Sequence, residues 1–374
     1  QLFGSSPDDA DNLLNGYGRA KLSWYTIDPI FYTNQRPAEI SDDDVSTNPT
    51  RRIYIDEVFP QTDVAQGQTQ VQTTLDMVYY PSVKGPYNNN PDFAIDAPSE
   101  KWGGMMRSLS STDFEQSNVE FVQFWVMDPF VDGIASGSGE LVLNLGNISE
   151  DILRDGKKQY ENGLPGVDSN DFIAPTSWGE VPATQSLVYA FDASEPNRRL
   201  QDIGFDGLND TNESSVFTNN DGSDPALDNY AYYLNREGSI LERYIDFNSP
   251  EGNSPVAVTN TNRGSTTLPD VEDIDRDLTM NTVNSYYEYR IAIKPNTSIN
   301  DKYVTDIREG VASGTRIPNG DDVNYRWIQY KIPLSDFSDA VGGITDFRSI
   351  SFMRMYMTGF NNPTVLRFAT LDLV

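Results

Sequence analysis

Apolar and polar residues alternate along this chain in a pattern that occurs twice. The first copy runs from Trp102 through Asp113 and Phe114 to NVEFVQFWVMDPF (118–130) and ELVLNLGNI (140–148); the second runs from Trp327 through Asp336 and Phe337 to FRSISFMRMYMTGF (347–360) and VLRFATLDL (365–373). In the long segment of each copy Val119, Phe121, Gln123 and Trp125 answer Ile350, Phe352, Arg354 and Tyr356, the period of two expected of a strand. The opposite face, Val122, Phe124 and Val126 against Met353, Met355 and Met357, is apolar as well, which predicts central strands covered on both sides. The final strand repeats too, with Leu143, Asn144, Leu145 and Ile148 answering Leu366, Arg367, Phe368 and Leu371. NSYYEYRIAIKP (284–295) alternates strongly and should hold in the second copy the place of 70–80 in the first. The expected architecture is all-β. Two antiparallel jelly-roll-like β-sandwiches, at 65–148 and 282–374, should superpose on one another, with 1–64 an irregular lead-in packing on the first.

Between the two sandwiches, 149–281 reads as a helix followed by a long, mostly irregular connector with a few short helices. Ser149 stands as an N-cap, Glu150 and Asp151 fall in the first turn, Lys157 and Lys158 follow, and Gly163 marks the stop, so about three turns of helix are expected with charges matched to the macrodipole. From about 165 onward Asn, Asp, Gly, Ser and Pro dominate around islands such as SLVYAFD (186–192) and NYAYYLN (229–235).

Composition narrows the chemistry. The 56 Asp and Glu outnumber the 27 Lys and Arg, and the formal charge of −29 repels phosphate backbones, so nucleic acid is not an expected partner. Cysteine and histidine are both absent, which removes disulfides, Ser-His-Asp and Cys-His catalysis and every His-ligated metal site. A carboxylate pair, a Lys nucleophile or a calcium-assisted site is what remains. No run approaches the ~18 apolar residues of a membrane helix, and QLFGSSPDDADN (1–12) lacks the basic and apolar regions of a signal peptide. The chain therefore reads as a soluble piece, mature or excised.

Two acidic constellations can collect a hard cation. In DIGFDGLNDTNE (202–213), read as a twelve-residue calcium loop, Asp202 falls at position 1, Asp206 at 5, Gly207 at 6, Asp210 at 9 and Glu213 at 12. Gly204 and Asn209 depart from that pattern, at the positions of a ligand and an apolar anchor, and an acidic surface turn is the competing reading. In PDVEDIDRDL, the acids Asp273, Asp275 and Asp277 (with Asp270 before them) alternate along an extended segment, against a solvated loop as the plain alternative. Calcium is the cation either set would take, and no cofactor is required by the sequence. Trp24, Trp102, Trp125, Trp178 and Trp327 could form a sugar-stacking platform, but Trp102 and Trp327 are repeat equivalents and Trp125 lies mid-strand, where large aromatics are usually core. Asp113 and Asp336 read as turn residues rather than catalytic acids.

Several stretches carry a family resemblance: NLLNGYGRAKLSWYTIDPIFY (12–32), RRIYIDEVFP (51–60), YYPSVKGPYN (79–88), GELVLNLGNISEDILRDGKKQYENGLP (139–165), DIGFDGL (202–208) and ILERYIDFNSPEGNSP (240–255). Together they resemble the SprA/Sov family, the giant outer-membrane translocon of the type IX secretion system of Bacteroidetes, also linked to gliding motility. The resemblance implies an internal fragment of a much longer chain whose remainder forms a β-barrel, and it brings no catalytic motif. It further implies a place in an outer-membrane complex, with the rest of the barrel, accessory subunits and transiting secreted proteins as partners. The chain lacks the ~10-residue amphipathic alternation of membrane strands, so most of it is expected outside the lipid, on the extracellular face, capping or shaping the pore mouth. A carbohydrate-binding surface lectin is the alternative, and a polysaccharide-degrading enzyme the third reading.

Overall fold

The period-two segments fold as strands, but their partners come from across the chain. The computed structural model describes residues 13–62, 67, 70–131, 135–155, 157–161, 164–165, 173–183, 189–219, 222–260, 263–266 and 269–374. Its strands are β1 (Ala20–Tyr25), β2 (Leu75–Lys84), β3 (Trp102–Ser108), β4 (Phe121–Met127), β5 (Gly139–Asn147), β6 (Ile173–Pro175), β7 (Glu180–Pro182), β8 (Ser285–Ile293), β9 (Val304–Ala312), β10 (Val323–Pro333), β11 (Asp339–Val341), β12 (Phe352–Thr358) and β13 (Thr364–Leu373). Four one-turn helices, α1 (Ile55–Val58), α2 (Glu195–Arg198), α3 (Asp210–Glu213) and α4 (Ile240–Arg243), complete the regular elements named here. The all-β, antiparallel class with few short helices is as the sequence predicts.

The division into two sandwiches is not. One sheet has the order β1-β2-β13-β4-β10-β9 and the other β11-β8-β5-β12-β3, so each draws strands from both repeats. Between them lies one core, in which Met77, Phe124, Tyr330 and Leu366 of the first sheet meet Leu143, Tyr289, Met355 and Met357 of the second. The four strands of the first repeat alternate between the sheets, β2 and β4 in one and β3 and β5 in the other, and strands of the second repeat fill the places between and beside them. A single repeat would thus leave gaps in both ladders, with unpaired backbone groups at every gap.

The duplication itself survives as an internal two-fold. Replacing β2, β13, β4 and β10 by their repeat equivalents β8, β5, β12 and β3 turns the central order of one sheet into that of the other. Register agrees on two ladders. Trp327 faces Met127 as Trp102 faces Thr358, and Arg367 faces Asp76 as Asn144 faces Glu288. The third ladder differs, since Trp125 faces Thr370 beyond a bulge in β13 while Tyr356 faces Val142.

Both sheets are covered on their outer faces, as the two-sided apolar strands require. The lead-in lays Ile53 and Val58 of the α1 region on Trp125, Met127, Trp327 and Ala369. It is pinned there by a fully buried ion pair in which Arg51 donates to Glu57 at 2.6 Å, while Glu57 also accepts the Tyr54 N–H. Elsewhere on that face Tyr25, Val78, Tyr80 and Val365 pack beneath Tyr232, Tyr233, Ile240 and Tyr244 of the connector. On the second sheet Tyr286 and Phe352 lie against Ile274. Connector residues therefore serve as a lid for the sandwich and share its core.

The expected helix after β5 does not form among the described residues of 149–161, and Gly163, its expected stop, lies outside them. Glu150 turns inward instead and accepts N–H groups from Ile274 at 2.7 Å and Asn281 at 3.0 Å. A buried carboxylate claimed by backbone donors of a distant segment outcompetes the weak macrodipole term that favoured the helix.

Candidate metal centre

The connector holds its acids inside rather than on the surface. Its loop 202–213 is pressed against β6 and β7, where Gly207 at φ +71° packs so closely on Glu180 that a Cβ would lie 2.0 Å from the Glu180 carbonyl oxygen. That approach turns Asp206 inward. Asp206 is fully buried, one of its oxygens accepts the Leu208 N–H at 2.9 Å, and no donor among the described residues reaches Oδ2.

Around it stand acids from two other segments. Asp228 is fully buried, accepts from the Tyr87 hydroxyl at 2.6 Å through Oδ2, and has no donor on Oδ1. Glu213, also fully buried, accepts the Ala226 N–H at 2.9 Å through Oε2, and its carboxyl shares a hydrogen bond with that of Glu251. One oxygen each of Asp210, Glu213 and Glu251 lies within 4.8 Å of the others, and the same holds for Glu213, Asp224 and Asp228. The backbone builds this convergence. Tyr230 N–H donates to the Glu251 carbonyl at 2.8 Å, Glu251 N–H donates to the Asp228 carbonyl at 3.0 Å, and Glu251 bridges Ile203 as well. Tyr87, in the loop after β2, ties the nest to the sandwich, because its hydroxyl also accepts the Phe205 N–H at 2.8 Å.

Desolvation dominates the electrostatics. Burial, then the neighbouring charges of Asp228 and Glu213, holds Asp206 well above the carboxylate range, and burial does the same to Asp228 and raises Glu213. Glu251 is pushed up to about 11 by burial and by Asp228, Glu213 and Asp210. Lys21 is the cation whose field reaches Asp224 and Asp228, and it is committed to Asp246 at 2.6 Å.

Of the residues singled out in the sequence, Asp210 and Glu213 belong to these groups and Asp206 lies within reach of the charges of Glu213 and Asp228. Asp202 stands apart and accepts the Ser254 N–H at 2.9 Å, with its carboxyl raised to about 6 by burial. Sequence reasoning missed Asp224, Asp228 and Glu251, although Glu251 lies in the SPEGNSP turn already noted for the family resemblance. In the second constellation Asp273 is fully buried but saturated, accepting from Tyr160, Asp277 and Leu278, whereas Asp275 and Asp277 are exposed. Buried beside it are Glu150, Asp151, Asp155, Glu161 and Glu272, and one oxygen each of Glu150, Asp273 and Asp275 lies within 4.8 Å of the others. Glu272 accepts the Ile152 N–H at 2.7 Å and leans on Glu161.

Trp102, Trp125 and Trp327 are buried, and Trp24 and Trp178 are half-buried, so no exposed tryptophan row exists among the described residues. Trp24 and Trp102 line a cleft of about 320 Å³ between β1, β3 and the connector, together with Ile152, Phe205 and Arg354. Asp113 is a turn residue, accepting the Gln116 N–H at 2.9 Å.

Residues 205–374 match the family model SprA_N, described as motility related/secretion protein. Over this segment the chain is similar to the SprA family. No curated protein matches the chain. The SprA segment starts at Phe205, inside the acidic loop, and takes in Glu213, Asp228, Glu251 and strands β8 to β13. By topology it is incomplete as a fold, because β13 needs β2 and β4 beside it and β12 needs β3 and β5. No helix among the described residues is long and apolar enough to cross a membrane.

Proposed function

We propose that this chain is a non-catalytic, folded module of a type IX outer-membrane translocon, lying outside the lipid and shaping the mouth of the pore through which secreted proteins pass. The match of 205–374 to the SprA family carries this reading. The fold suits it. Strands that are apolar on both faces and buried between lead-in and connector make a rigid body without the lipid-facing alternation of a barrel wall. The formal charge of −29 gives that body a surface that repels acidic cargo and resists nonspecific adhesion. Lack of catalysis is supported by the absence of His and Cys. The remaining barrel, its accessory subunits and the transiting proteins are the partners this reading implies.

An in-frame deletion of residues 65–374 removes both repeats together and leaves β1 alone of the two large sheets. With barrel assembly verified, that strain is expected to secrete poorly or to leak large solutes across its outer membrane. Normal secretion together with normal permeability would overturn the reading. So would turnover of a polysaccharide by the isolated chain that a single carboxylate substitution abolishes.

A further inference from the structure

We propose that Asp206, Glu213, Asp228 and Glu251, with Asp210 and Asp224 at the rim, form a calcium-binding site that fastens the connector to the sandwich. The geometry rests on two separate facts. The carboxylate oxygens of Asp210, Glu213 and Glu251, and of Glu213, Asp224 and Asp228, gather within 4.8 Å of one another. Independently, fully buried Asp228 keeps Oδ1 without a donor in that group, and fully buried Asp206, near enough to feel the charges of Asp228 and Glu213, keeps Oδ2 without one. Buried carboxylates are ordinarily paired with a cation or saturated by donors. Here Lys21 is already engaged by Asp246, and Tyr87, Leu208 and Ala226 supply one donor per acid.

A hard divalent ion removes the conflict by replacing mutual repulsion with attraction to one centre. Calcium takes six to eight oxygens at about 2.3–2.6 Å in flexible geometry, which a nest of several carboxylates can supply, whereas magnesium demands a near-octahedral shell at about 2.0–2.1 Å. The ligand set differs from that of a contiguous calcium loop, because it draws on three segments joined by the backbone bonds at Glu251. This is the place where the connector, which has no large sheet of its own, most needs a cross-link. Ion binding would lock 203–213, 224–229 and 251 together, and Tyr87 would pass that rigidity to the loop after β2.

The test uses the whole chain, stripped with a chelator at neutral pH and titrated with calcium chloride to about 10 mM, above the weakest calcium modules. Calcium is expected to raise the melting temperature by at least a few degrees through mass action on the native state. Magnesium should do less, and terbium as a calcium stand-in should luminesce when excited through tyrosine, Tyr87 being bonded to Asp228. Asp228→Asn should abolish both responses. Glu251→Gln, at the less enclosed edge, keeps the test open if the first variant fails to fold. No shift with calcium and no terbium signal would overturn the proposal. An equal shift in wild type and both variants would overturn it too, by placing the ion elsewhere.

Discussion

Replacing Arg367 by Leu is expected to cost about 3–5 kcal/mol of folding stability, the range for breaking a buried ion pair from one side. Arg367 is 3% exposed and its partner Asp76 fully buried, with Nε donating to Asp76 at 3.0 Å. The same guanidinium donates to the carbonyls of Asn48 at 2.7 Å and Arg51 at 2.8 Å, so it also anchors the lead-in to the sheet. The variant strands a carboxylate and two carbonyls in the interior at once. Urea denaturation should show a fall in midpoint with little change in slope. Arg367→Leu combined with Asp76→Leu should recover much of the loss, because the uncompensated charge goes with it. A loss under about 1 kcal/mol, typical of a surface pair, would mean that Arg367 is solvated rather than interior.

The second large effect is on pH. Burial, reinforced by Asp275 and Asp273, pushes Glu150 up to about 7, and burial with Asp151 and Asp155 pushes Glu272 up to about 8. Both have an ordinary value of 4.5. A carboxyl whose folded value is raised binds its proton more tightly folded than unfolded. Its contribution to stability is therefore complete below about 4.5 and is lost as pH rises through the folded value. With divalent ions removed by chelator, the chain should become less stable between about pH 5 and 8, each tenfold difference in proton affinity between folded and unfolded chain being worth about 1.4 kcal/mol per group. Opposing acids such as Glu242, held low by hydrogen bonds from Ser239, lose their contribution only at lower pH. Melting temperature against pH, with Glu272→Gln as a control expected to flatten the curve, checks this. A melting temperature that rises steadily from pH 5 to 8 would contradict it.

How much of this was legible in the sequence follows from what each signal measures. Alternation reports which side chains are buried, and it located β2, β4, β5, β8, β12 and β13 and their covered faces correctly. It says nothing of which strand lies alongside, since β4 meets β13 and β10 with the same side chains it would present to β3 and β5. Local acids in 202–213 were visible because three of them stay close in space. Asp228 and Glu251 were not, because backbone bonds between Asp228, Tyr230 and Glu251 bring them in. Glu150 misled for a related reason, since an acid after a Ser reads as a helix start, whereas its partners, Ile274 and Asn281, lie far downstream.

Interleaving of the two repeats in one sandwich is the claim on which the rest stands, and a cysteine pair tests it without background because the chain has no cysteine. Gln123 of β4 and Lys331 of β10 are direct cross-strand partners drawn from different repeats. Neighbouring positions on paired strands fall within the ~4.4–6.8 Å Cα separation that a disulfide spans. With both residues changed to Cys, mild oxidation of the folded chain should form an intramolecular bond, seen as a loss of two thiols and faster migration without reductant. Two separate sandwiches would hold these positions in different bodies, and thiols that stay free and reactive in the folded protein would contradict the interleaved fold.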